Sequence, residues 1–113
     1  MTRILAALGA ITAALAVAVT AQASTKANKL TATVGPGFTI TMSKKSVKAG
    51  TYTITVKDKS NIHNFHLTGP GVNKKTSVGA VKTYTWKLKL KKGTYKFVCD
   101  PHATIMKGTL KVT

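Results

Sequence analysis

The residues best suited to chemistry lie near the C-terminus, in Tyr95-Lys96-Phe97-Val98-Cys99-Asp100-Pro101-His102-Ala103-Thr104-Ile105-Met106, with a His63-Asn64 pair far upstream. A thiol, two imidazoles and a thioether are soft and borderline donors. One Cys and two His in a trigonal plane, with a distant Met as a weak axial partner, form the donor set of a blue-copper electron-transfer centre. Three of the four donors fall within Cys99 to Met106, a loop between two strand-like segments, where Pro101 stiffens the turn that returns His102 towards the thiol. The remaining equatorial donor must come from another strand. His63 and His66 are the candidates there. Strict alternation puts His63, Phe65 and Leu67 on one face and Ile62, Asn64 and His66 on the other, so His66 is expected to face away from the metal. Met106 is either the axial donor or ordinary packing, and Met42 is read as core.

Other chemistries fit less well. A hydrolase built on Cys99 would lose its nucleophile to the metal and finds no obvious acid/base partner, because Asp58 and Asp100 are the only carboxylate side chains. A binuclear copper site would need a second Cys. Four protein donors leave no open position for a substrate, so the chain is not expected to be an enzyme.

The elements that position these residues read as short strands. Phe38, Ile40 and Met42 alternate with Thr39 and Thr41. Tyr52, Ile54 and Val56 alternate with Thr53 and Thr55, and Tyr84, Trp86, Leu88 and Leu90 with Thr85, Lys87 and Lys89. Further strands are expected over 30–34, 62–67, 94–99 and 108–112. Turns fall at Gly35-Pro36-Gly37, Lys48-Ala49-Gly50, Gly69-Pro70-Gly71 and Lys91-Lys92-Gly93. Seven or eight strands without a segment of helical period indicate an all-β antiparallel sandwich or barrel. A short helical turn would fit within 73–79. Tyr52, Tyr84 and Trp86 are expected in the core, and the outward lysines discourage edge-to-edge association.

The first residues read as a cleavable signal peptide over 1–23: Arg3 gives a positive start, 4–19 an apolar run, and Ala21-Gln22-Ala23 a small-x-small cleavage pattern. The run is shorter than the ~20 residues that cross a bilayer core. The expected mature domain is 24–113, exported to the periplasm or the medium, with no transmembrane segment. A single Cys cannot form an intramolecular disulfide in so small an exported domain, so a bound metal would act as its cross-link. Seventeen lysines face two aspartates, with no Glu and no Arg beyond Arg3. Without Arg forks, sequence-specific nucleic-acid recognition is disfavoured. The charge suits brief encounters of a monomer with acidic redox proteins, or an anionic envelope surface. Plain solubility would also explain it.

His63-Asn64 followed by Tyr95-x-Phe97-x-Cys99-x-Pro101-His102 and Met106 resembles the cupredoxin family, particularly plastocyanin, pseudoazurin and amicyanin, across nearly all of 24–113. The resemblance implies a Greek-key β-sandwich with one copper held by His63, Cys99, His102 and, weakly, Met106. It also implies that Asn64 ties the His63 segment to the Cys99 loop, and that the His102 edge is the electron route at the surface. Three residues separate His102 from Met106, between the four of plastocyanin-like loops and the two of amicyanin-like ones. Asp100 stands where the family more often has Ser or Thr, either lowering the potential or bonding the loop. The expected function is one-electron transport, with copper delivery as the alternative.

Overall fold

Alternation of apolar and Thr or Lys residues makes each strand a ribbon with one dry face, and two such sheets bury their dry faces against each other. A computed structural model describes Gly9 and residues 28–113; the signal-peptide reading lies outside the described residues. Among the described residues nine strands run in order: β1 Asn28–Val34, β2 Ile40–Met42, β3 Ser46–Val47, β4 Gly50–Asp58, β5 His66–Gly69, β6 Val72–Lys75, β7 Thr83–Leu90, β8 Gly93–Val98 and β9 Lys107–Val112. One 3₁₀ turn, Asp100–His102, lies between β8 and β9.

One sheet has the order β2-β1-β4-β7 and the other β3-β9-β8-β5-β6. Most pairings are antiparallel, but β1 runs parallel to β4 over its whole length and β3 runs parallel to β9. The sheets are therefore mixed, which corrects the purely antiparallel expectation. Period-two alternation reports that a strand is half-buried but says nothing about its neighbour's direction. The short helical turn expected within 73–79 is also replaced, by β6 and a following turn.

Leu30, Ala32, Val34, Tyr52, Ile54, Val56, Trp86 and Leu90 of the first sheet face Leu67, Tyr95, Phe97, Leu110 and Val112 of the second, all buried. Phe65 lies between them, stacked on Phe97 with ring centroids 5.6 Å apart and tilted against Trp86 at 6.0 Å. Tyr84 and Met42 are only half-buried at the edge of this core. Tyr95 is locked at its far end, where its hydroxyl accepts from the Lys91 N–H at 2.8 Å and donates to the Pro70 carbonyl at 3.0 Å. Its ring occupies the space that a Cβ on Gly69 would need.

Two sequence expectations change at the end of the sandwich that carries the site. Phe38 belongs to no strand and is 57% exposed. The strand expected over 62–67 begins only at His66, and His63, Asn64 and Phe65 are consecutive buried residues, which alternation does not allow. That segment passes through the end of the sandwich rather than along a sheet, so its side chains reach three different places.

Candidate metal centre

Cys99 leaves β8 with extended backbone and is followed at once by the 3₁₀ turn, in which Pro101 occupies the first turn at no hydrogen-bonding cost. The loop is tied by its own backbone: His102 N–H donates to the Cys99 carbonyl at 3.0 Å and Met106 N–H to the His102 carbonyl at 2.8 Å. Cys99 N–H in turn donates to the Met106 carbonyl at 3.0 Å. Cys99 and Met106, both fully buried, thus close the two ends of one rigid loop.

The 58–66 segment brings the opposing donor. His63 Nδ1 lies 3.6 Å from Cys99 Sγ, His102 Nδ1 also lies 3.6 Å from Sγ, and the two nitrogens are 3.1 Å apart. These three atoms form a nearly equilateral triangle whose centre is about 2.0 Å from each, the length of a metal–imidazole bond. Two ring nitrogens and a sulfur facing one another have too few protons to satisfy each other, whereas a cation at the centre satisfies all three. Among the described residues this is the one His/Cys/carboxylate group arranged to hold a metal. The soft thiolate and two imidazoles fit copper.

The surroundings fix these donors. Asn64 N–H points at Cys99 Sγ at 3.5 Å, while its side chain donates to Asp100 Oδ2 and accepts from the Asp100 N–H, both at 2.7 Å. Asp100 also bonds His66, Oδ1 to Nδ1 at 2.9 Å, and the other His66 nitrogen faces Asn73 Oδ1 at 2.7 Å. His66 is thereby held outside the donor triangle. Hydrogen bonding to Asp100, then to Asn73, raises its pKa above the ordinary value. Burial alone would raise the Asp100 carboxyl, but the Asn64 and His66 hydrogen bonds outweigh it, and the net shift is downward.

Two neighbours carry no metal-ligand signal in the sequence. Phe38 stands edge-on to both imidazoles, 5.3 Å from the His63 ring and 5.0 Å from that of His102. Asp58, at the end of β4, is 2% exposed. Burial pushes its carboxyl up, with the Ser60 N–H and His63 pulling it back. Gly35 admits the His63 ring: its φ is +69°, and a Cβ there would stand 3.0 Å from Ser60 Cβ and 3.3 Å from His63 Cδ2.

A model of copper-binding proteins of the plastocyanin/azurin family matches residues 12–113. The chain belongs to this family. As a cupredoxin with one such His/Cys cluster, it is a copper protein taking one copper per chain. Among solved structures, reduced rusticyanin is 24% identical, with a TM-score of 0.58 over 75% of this chain and 78% of that one. Auracyanin A, a "blue" copper protein from the green thermophilic photosynthetic bacterium Chloroflexus aurantiacus, is 18% identical, with a TM-score of 0.52 over 75% of this chain and 98% of that one. At these identities the likeness shows the shared cupredoxin fold. A search of curated protein sequences gave no match. No helix among the described residues is long and apolar enough to cross a membrane.

Proposed function

We propose that this cupredoxin is an exported one-electron carrier whose copper would be held by His63, Cys99 and His102, with Met106, buried at the end of the same loop, as a further, weaker donor. The observation that carries this reading is the donor triangle, already assembled by backbone and side-chain hydrogen bonds. Bound copper supplies the Cu(II)/Cu(I) couple, and these donors suit both oxidation states.

The protein's own residues keep the change of charge from becoming a change of shape. The Cys99–Met106 backbone tie and the Asn64–Asp100 pair hold the loop and the His63 segment in one arrangement. Cys99 and His63 are fully buried and exclude water, whereas His102 is half-buried and presents the ring edge nearest solvent. Electrons would pass there. Exposed Phe38 and Ile105 give that end an apolar contact surface, and the chain's large excess of lysine favours a short-lived, salt-sensitive encounter with an acidic redox partner. Export through a signal peptide over 1–23, a monomeric state and attraction to anionic envelope polymers belong to the same reading. Four protein donors leave no position for a substrate, which favours a carrier over an enzyme.

Protein-film voltammetry of the copper-loaded protein in the presence of a Cu(I) chelator tests this. A carrier cycles reversibly and keeps its metal, and its exchange rate with an acidic partner falls as salt rises. Transfer of Cu(I) to the chelator on reduction would establish copper delivery instead.

A further inference from the structure

In a chain with eighteen basic residues, the only two carboxylate side chains both lie beside the metal centre. Asp100 is accounted for by its bonds to Asn64 and His66. Asp58 is not.

His63 turns Nδ1 towards Cys99 and His102. As a metal donor that nitrogen carries no proton, so the neutral ring holds its single proton on Nε2, and which nitrogen binds is fixed by the bond the other makes. Nε2 is buried and has no hydrogen-bond partner among the described residues. Asp58 shows the complementary condition. Its Oδ1 accepts the Ser60 N–H at 3.0 Å, and its backbone N–H, bonded to the Lys82 carbonyl at 3.1 Å, fixes it to the end of β4. Its Oδ2 is buried and unpartnered among the described residues. An orphan donor and an orphan acceptor, each costly to leave unmade, thus sit on one short turn. Ser60, bonded to Asp58, and His63 Cδ2, the carbon joined to Nε2, both crowd the same face of Gly35.

We propose that Asp58 is a positioning residue for His63: its Oδ2 accepts the Nε2–H across one bridging water, and so commits Nδ1 to the metal. This rests on His63 being a copper ligand. Ligating histidines ordinarily give their second N–H to a carboxylate or carbonyl, and losing that partner costs 10- to 100-fold in metal affinity. The carboxylate also places negative charge beside the site, which favours the more highly charged Cu(II).

The test uses imidazole ¹⁵N–¹H spectra of the copper-free and Cu(I)-loaded full chain, with the reduction potential, for the parent, Asp58→Asn and Asp58→Leu. The parent should show a His63 Nε2–H protected from exchange. Asp58→Asn is nearly isosteric and keeps an acceptor oxygen, so the signal should persist while the potential rises. Asp58→Leu should lose the protection and weaken copper binding about 10- to 100-fold. A purely structural role would destabilise the fold without moving the potential of Asp58→Asn. Folded variants with the parent's Nε2–H exchange and potential would overturn the proposal. If copper leaves His63 Nδ1 unshifted, the ligand assignment fails instead, and the Nε2–H of the copper-free protein still decides the Asp58 pairing.

Discussion

Asn64 and Asp100 exchange two hydrogen bonds of 2.7 Å, amide to carboxylate and backbone N–H to amide oxygen, across 36 positions of sequence. This pair joins the segment that carries His63 to the loop that carries the other donors. Removing the amide leaves a carboxylate and a backbone N–H unmatched. Asn64→Ala should therefore lose about 2–3 kcal/mol of stability in urea unfolding of the copper-free protein. The visible spectrum of the copper form should shift as the segment that aims the Asn64 backbone N–H at the Cys99 thiolate loses its tie to the loop.

Replacing Cys99 with Ser removes the strongest donor. The intense thiolate-to-copper absorption should vanish. In the parent, free copper at a hundred times its Kd should add about 2.7 kcal/mol of stability, and Cys99→Ser should lose most of that increment. Thermal melts with and without copper check this, and an unchanged colour together with an unchanged copper-dependent Tm would refute the ligand assignment.

Phe38 covers both imidazoles edge-on yet is mostly exposed. Phe38→Ala should leave copper-free stability within about 1 kcal/mol of the parent, as expected for a surface change. It should also speed copper loss to a chelator, because water and chelator then reach the ring nitrogens. Stopped-flow chelation separates the two effects.

The His66–Asp100 pair makes stability depend on pH in the copper-free protein. His66 has a raised folded pKa, so its contribution is fully present below the unfolded value of 6.5 and is lost as pH rises through the folded value. Asp100 has a lowered folded pKa, so its contribution is present above the unfolded value of 3.8 and is lost as pH falls through the folded one. The pair therefore stabilises most between 3.8 and 6.5. Asp100 is well exposed, so the effect is small. His66→Gln should flatten the alkaline side of a stability–pH curve.

Gly69 and Gly79 make a contrasting pair. A Cβ at Gly69 meets the locked ring of Tyr95, whereas one at Gly79 meets nothing within 4 Å. Gly69→Ala should cost about 1–3 kcal/mol by overpacking, and Gly79→Ala should be neutral or stabilise by up to about 1 kcal/mol through the unfolded chain. Chemical denaturation of both variants gives the comparison.

The alternation of Tyr84, Trp86, Leu88 and Leu90 with Thr and Lys made β7 legible, because a half-buried strand writes its burial into every second residue. The directions of β4's neighbours were not legible, since the parallel β1–β4 pair and the antiparallel β4–β7 pair bury the same alternating positions. The His63 region failed differently. Three consecutive buried residues have no period, because each answers to a different neighbour: the donor triangle, the Cys99 loop and the core.

By itself the sequence determined the all-β class, the donor types and the compact Cys99–Met106 loop, since spacing within one loop fixes what its side chains reach. Only the tertiary structure decided that His63 meets Cys99 and His102, that Asp100 engages Asn64 and His66, that Phe38 leaves the core to cover the imidazoles, and that Asp58 lies beside His63. Those contacts join residues tens of positions apart, and their distances depend on how two sheets close over one core, a property no local spacing encodes.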